Sequence, residues 1–407
     1  METTASTTLS ETLCRRLAPL EARALRAGVC RQTGLCDFGN PPIEPALSIL
    51  TSSLDREADL HPLGRFLMRA HLRSLLATRL RLVQDWSRQA KSPAIVPIKG
   101  PLFITGMPRS GSTFLHELLA QDPANRMPRV WEVMFPLPAP AKGPNPRDPR
   151  IRRAAACLWW FRRLAPQADS VHPIRAGTPQ ECVAIHSYTL LSEEFIATCH
   201  VPAYESFLHA TDLGPTYAWQ KRFLQHLQAE SPNQRWVLKS PDHVYGLASL
   251  FSVFPDAVVV QTHRNPVDVL KSSLRLVEVL QRVFARPRSR QQIGLRETRS
   301  LADATERFIR FREDHPGLAG RFIDVKYLDL VADPLAIVRG IYCQLGLPLS
   351  EPAAEAMRRF VATRSRYPKP RKVHSLADLG IDPSAEGRRF QQYCSRFGIS
   401  GHQPRPG

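Results

Sequence analysis

The chain has 407 residues, 43% hydrophobic and 23% charged, a globular composition long enough for one large α/β domain with a helical addition. The net charge of +18 and pI of about 10.1 fit three kinds of anionic partner: nucleic acid, a membrane or a polyanionic small ligand. High arginine usage would raise the charge with no partner at all. Basic residues cluster modestly at Arg147–Arg153, Arg286–Arg290 and Arg364–Lys372 but do not alternate with aromatics, so no nucleic acid is expected as a partner.

The first ten residues, METTASTTLS, lack the basic and apolar parts of a secretory signal. Leu13, Leu17, Leu20 and Ala24 recur at helical spacing, and Phe66, Leu67, His71, Leu75, Leu76 and Leu82 form a second amphipathic stretch. Gly34–Pro42 between them is rich in turn residues. A connector with Pro93 and Pro97 leads into the first clear strand, Leu102–Thr105. Strands are then expected at Trp236–Leu238, Ala257–Gln261 and Phe322–Val325. Helices are expected over Ser112–Gln121, Thr216–Glu230, Val244–Phe254, Val267–Leu280, Leu301–His315 and Leu335–Leu345. Pro136–Pro149 reads as loop, and Leu301–His315 suits a dimer interface or the core equally. This alternation predicts an α/β fold: a P-loop-like parallel β-sheet flanked by helices, with an N-terminal helical extension. The divisions are a helical region over 1–95 and an α/β domain over 96–407 with a helical insert around 125–230. The longest apolar run, Ala154–Phe161, is far short of the roughly 18–20 residues that span a bilayer. The eight cysteines form no C-x-x-C pair and read as free thiols. A cytoplasmic protein is expected.

Chemistry first appears at residues 102–116, LFITGMPRSGSTFLH: a strand, a glycine-containing turn, then a helix. Gly106 and Gly111 allow close backbone approach, and the N–H groups of Ser110, Gly111, Ser112, Thr113 and Phe114, with the helix dipole, form an anion cradle. Arg109 adds a charged fork. A nucleoside-triphosphate loop would carry lysine where Ser112 stands, and an acidic residue for Mg²⁺ after the strand that instead continues Thr262-His263-Arg264. A kinase or ATPase is therefore disfavoured. No H-x-x-H or carboxylate cluster points to a metal.

One strand–helix unit later, Arg264 ends a strand and Ser272 lies two turns into the next helix, a pairing that can clamp a phosphate. With these residues the chain resembles the sulfotransferases that use 3′-phosphoadenosine 5′-phosphosulfate (PAPS), in the bacterial-type branch related to the tyrosyl-protein sulfotransferases. The 5′-phosphosulfate loop of that family resembles Gly106–Thr113, its 3′-phosphate clamp resembles Arg264 and Ser272, and its K-[SD]-P loop resembles Lys239-Ser240-Pro241. Tyr327 matches a tyrosine near the co-substrate. Thr33–Gly39 and His374–Gly380 extend the likeness over nearly the whole chain. Ser112 replaces a commoner threonine and Asn265 a usual aspartate, and neither removes a charged contact. Cys36 also departs from a usual aspartate.

The resemblance implies transfer of a sulfonate to a hydroxyl acceptor, with Arg109 and Lys239 as cationic stabilisers of the departing phosphate. Glu132, which follows the phosphate-loop helix, is the expected base. Glu181 and His186 are the alternatives. The aromatics of residues 125–210 (among them Trp159, Trp160 and Phe161) fit an acceptor pocket or a core equally well, so carbohydrate, lipid, phenolic and peptide hydroxyls stay open. Another phosphate-ligand enzyme, and a basic protein binding nucleic acid or membrane, are the competing readings.

Overall fold

The computed structural model describes residues 15–89, 96–139, 146–171, 173–228, 234–364, 376 and 381–399. Leu13, Cys14, Pro93, most of the Arg364–Lys372 cluster and all of His374–Gly380 except Leu376 lie outside them. No helix among the described residues is long and apolar enough to cross a membrane.

Five parallel strands form the sheet: β1 (Leu102–Gly106), β2 (Asn125–Arg126), β3 (Arg235–Lys239), β4 (Val258–His263) and β5 (Phe322–Lys326). Their order is β2-β3-β1-β4-β5, with Leu102 opposite both Val237 and Val258. β1 is therefore central, and the chain leaves it first to one side and then to the other. In such sheets ligands bind at the carboxyl ends of the strands where the direction of winding switches. The expected strands are all present, three of them extended by a residue or two and the fourth, Ala257–Gln261, shifted to Val258–His263. The two-residue β2 is too short to give any alternation signal.

Both faces of the sheet are covered at its centre, so β1, β3 and β4 are buried almost throughout, whereas the edge strand β5 exposes Asp324 and Lys326. Leu102, Ile104, Val237 and Val260 pack on one face against Leu115, Leu118 and Tyr342. Phe103, Trp236, Leu238 and Val259 share the other face's core with Leu47, Leu72, Leu80 and Trp86 of the N-terminal helices. Those helices are thus one layer of the sheet's own core. The buried Arg79 ties them to the Gly34–Pro42 loop, donating to the carbonyls of Phe38 (2.7 Å) and Tyr188 (2.8 Å) and also to that of Pro41. Burial lowers its guanidinium to about 9.

Three expected elements differ. The helix through Leu17, Leu20 and Ala24 is interrupted, because Pro19 lacks an amide hydrogen and clashes with the preceding turn; a new helix runs over Ala22–Thr33. Leu301–His315 is the second half of a longer helix, Arg290–Asp314, capped by Ser289, whose Oγ accepts from the Gln292 amide. Its Leu301, Phe308 and Ile309 are buried inside the chain. Val244–Phe254 is instead a 3₁₀ turn, Pro241–Gly246, followed by the helix Leu247–Val253. The loop before Pro149 ends in a helix, Pro149–Leu164, with Asp148 as its cap.

Candidate active site

The loop after β1 is built for close approach. Gly106 has φ 135°, and a Cβ there would stand 2.3 Å from the Thr262 carbonyl oxygen. Gly111, the N-cap of the Ser112–Leu119 helix, has φ 93°, and a Cβ would meet the Tyr327 ring at 3.0 Å. Arg109 itself takes a left-handed φ of 64°, a strained value for a residue with a side chain. Its carbonyl turns toward Arg264, which donates to it at 2.8 Å. The first turn of the helix, at Ser112 and Thr113, has amides that no carbonyl inside the helix can reach, at the positive end of its dipole.

Ser110 plays a different part from the one expected. Its amide donates to the Met107 carbonyl (3.2 Å), and its buried hydroxyl bridges Met107 and Thr262 Oγ1, each at 2.6 Å. It fixes the loop to β4. Phe114 stacks on Phe360 at 6.2 Å and also borders the cavity onto which the loop opens.

Arg264 and Ser272 do come to the loop. Arg109 Nε donates to Ser272 Oγ at 2.9 Å, and the Arg264 guanidinium lies 4.3 Å over the Tyr327 ring. Desolvation first, and the Arg264 charge second, lower the Arg109 guanidinium from its ordinary value. Two like charges held together in this way favour an anion between them.

Lys239 ends β3, buried, and donates to Thr113 Oγ1 (3.0 Å) and Glu181 Oε1 (2.5 Å). Behind it, burial and then the Lys239 charge push His116 down to about 4, so the imidazole is neutral. Glu181, Lys239, Thr113, Arg109, Arg264 and Tyr327 all border one cavity of about 820 Å³. Much of the rest of its lining is apolar, including Leu67, Phe161, Val183, Leu276, Leu280 and Phe284, with His71, Glu193, Glu194, Arg296 and Glu297 among the polar groups.

Glu132 is placed elsewhere, and the expectation that it is the base needs correcting. Its carboxylate is 4% exposed and accepts both guanidinium nitrogens of Arg126 (3.0 and 2.5 Å) and the Arg129 amide (2.8 Å), capping the helix Val130–Met134. It is absent from the cavity lining. The helix it caps holds the following segment: the Gln180 amide donates to the Pro128 carbonyl at 2.7 Å, and Val130 and Trp131 donate to the carbonyls of Thr178 and Ala176. Glu132 thus positions the strand-like run that delivers Glu181. His186 is buried, donates from Nε2 to Gln220 Oε1 (2.7 Å) and is lowered to about 4 by burial; it does not border the large cavity.

Asp242 escaped the sequence reading, although it follows Lys239-Ser240-Pro241 directly. It borders the cavity, accepts a hydrogen bond from Ser240 Oγ, and burial raises it from 3.8 to about 7. Of the aromatics in 125–210, Phe161 reaches the cavity, Tyr188, Phe195 and Tyr204 are core, and Trp159 and Trp160 are exposed. Among the described residues no three His, Cys, Asp or Glu side chains gather as a metal-ligating group.

An anion cradle after the central strand, with cations from the ends of both neighbouring strands, defines an α/β protein of the class that handles phosphate-bearing nucleotides. The chain belongs to the sulfotransferase family, whose model matches residues 101–351, and it is an enzyme that transfers sulfonate to a hydroxyl acceptor. It is 23% identical over 320 residues to the omega-hydroxy-beta-dihydromenaquinone-9 sulfotransferase Stf3 of Mycobacterium bovis, covering 75% of this chain and 77% of that protein. The protein of the same name in Mycobacterium tuberculosis matches equally. The crystal structure of sulfotransferase STF1 from Mycobacterium tuberculosis H37Rv superposes with a TM-score of 0.79 at 32% identity, covering 91% of this chain and 98% of that one. Sulfotransferase STF9 from Mycobacterium avium gives 0.81 at 25% identity, covering 93% and 97%.

Proposed function

We propose that the donor is PAPS, that Glu181 is the base, and that the acceptor is a lipophilic alcohol. The carrying observation is one cavity bordered by the cations Arg109, Arg264 and Lys239, by Glu181, which pairs with Lys239, and by many apolar side chains. The cations fit a nucleotide with two anionic groups. Amides at Ser112 and Thr113 suit the 5′-phosphosulfate, and Arg264 with Ser272 suits the 3′-phosphate.

In the proposed reaction the acceptor oxygen forms a bond to sulfur while the bond from sulfur to the 5′-phosphate oxygen breaks. Glu181 receives the hydroxyl proton. Lys239, moving from Glu181 to the phosphate, neutralises the charge left on the departing nucleotide, and Arg109 adds a second cation. The many apolar side chains of the lining, Leu67, Phe161, Leu276 and Leu280 among them, favour a lipid-like acceptor whose chain they would take out of water. The Stf3 relatives are named for a menaquinone derivative, consistent with this reading. A cytoplasmic location agrees with a nucleotide donor.

Glu181→Gln is expected to lower turnover by about 10²–10⁴-fold, the usual contribution of a general base. Binding of the desulfonated nucleotide (PAP), measured by calorimetry, should stay within a few-fold of the parent. Turnover close to the parent would remove Glu181 from the role and turn attention to Asp242.

A further inference from the structure

The helix Pro149–Leu164 buries only Arg150 and Ala154. Arg152, Ala155, Ala156, Trp159, Trp160 and Arg163 follow the i, i+3, i+4, i+7, i+8, i+11 spacing of one helical face, and all six are exposed. Trp160 is 63% exposed, Trp159 43% and Leu164 53%. An outward helix face normally carries charges along its length. Here the middle is apolar, the two tryptophans meet edge to face at 4.8 Å, and arginines stand at either end, Arg163 lying 4.9 Å over the Trp159 ring.

The neighbouring surface continues the pattern. Leu63 and Phe66, at the start of the helix Pro62–Gln89, are 50% and 43% exposed. The groove beside them is bordered by Phe66, Arg69, Arg73, Arg81, Phe135 and Arg153. Both helices also reach inward: Phe161 and Leu67 border the large cavity. The chain's net charge of +18 far exceeds what one nucleotide would neutralise.

We propose that this face docks on an anionic phospholipid bilayer, with Trp159 and Trp160 at the headgroup level and the arginines on lipid phosphates, so that the side of the cavity bordered by Phe161 and Leu67 lies toward the membrane. Tryptophan favours the membrane–water interface, and a helix lying in that plane combines an apolar face with flanking arginines. Charge complementarity selects the bilayer over a neutral partner: each arginine near an anionic surface strengthens binding about fivefold. The inference stands on this surface alone and does not require the acceptor reading, since binding needs neither nucleotide nor acceptor.

The test is co-sedimentation of the full chain with vesicles of phosphatidylcholine alone and of phosphatidylcholine mixed with phosphatidylglycerol, together with quenching of tryptophan fluorescence by a nitroxide-labelled lipid. The other four tryptophans, Trp86, Trp131, Trp219 and Trp236, are buried, so quenching reports on the exposed pair. Binding to the anionic vesicles with quenching is expected, weakened at least tenfold by the Trp159→Ala/Trp160→Ala double variant and about fivefold each by Arg152→Gln and Arg163→Gln. Unfolding midpoints should not move, because these side chains are exposed. A chain that stays in the supernatant, binds both vesicle types equally, or binds without quenching overturns the proposal. Concentration-dependent dimerisation that Trp160→Ala abolishes, without vesicle binding, identifies a second copy as the occupant and overturns it too.

Discussion

Replacing Glu132 separates a structural carboxylate from a catalytic one. In Glu132→Ala the Arg126 guanidinium, 14% exposed and bonded through two nitrogens to that carboxylate, keeps its charge and loses its anion. Breaking a buried pair by removing one partner costs about 3–5 kcal/mol. The Arg129 amide also loses its cap, worth about 1 kcal/mol. The loss is therefore on the order of 4–6 kcal/mol, a large part of the ~5–15 kcal/mol by which a domain is stable. Glu132→Gln keeps the shape and part of the bonding, and should lose about 1.5–3 kcal/mol, the value of a hydrogen bond to a charged group. Urea unfolding measures both losses. Turnover of the Gln variant, corrected for its folded fraction, should stay within about tenfold of the parent, because Glu132 acts only through the segment that carries Glu181. A Gln variant with the parent's urea midpoint and turnover lowered more than a hundredfold would refute this reasoning and restore Glu132 as the base.

Arg264→Ala should weaken PAP binding by about 10–100-fold, the equivalent of one charge-assisted contact of ~1.5–3 kcal/mol, with a much smaller effect on a nucleotide lacking the 3′-phosphate. Equal loss for both nucleotides in calorimetry would sink the clamp assignment. Asp242, raised by burial from 3.8 to about 7, binds its proton more tightly in the folded state, so its contribution to stability falls as pH rises from about 4 to about 7 and is level above. At about 1.4 kcal/mol per pH unit the upper limit is about 4 kcal/mol. Asp242→Asn should therefore gain stability relative to the parent at about pH 8 but not at about pH 4, and parallel urea midpoints across that range would contradict this.

Much of the fold was legible because its signals are local. The strands around residues 102, 236 and 257 are continuous apolar runs, the one at 322 is broken only by Asp324, and the Gly106–Thr113 loop declares itself through glycines, an arginine and hydroxyls within eight residues. Arg264 and Ser272, which both reach Arg109 of that loop, were picked out by the same logic of strand end and following helix. Long-range pairings were not legible. Nothing in the sequence says that Arg126 and the Arg129 amide claim the Glu132 carboxylate, or that Glu181 meets Lys239 across 58 positions. Asp242 sits within the Lys239-Ser240-Pro241 motif region, and only its burial marks it out. The N-terminal helices read as an extension because amphipathicity shows that a face is buried without showing that Phe103 and Trp236 lie beneath it.

The contact between Lys239 and Glu181 also bears on the order of events. A single ammonium stands between a carboxylate of the chain and the place proposed for the nucleotide's phosphate, and it can fully serve one of them at a time. Lys239 is therefore already charge-balanced in the resting protein, and an arriving nucleotide must compete for it, freeing Glu181 only when the donor is seated. The proposed proton acceptor would become available when there is something to transfer. After transfer the same carboxylate, once it has passed its proton to solvent, draws the lysine back and loosens the spent nucleotide. One ion pair would act as both interlock and release spring.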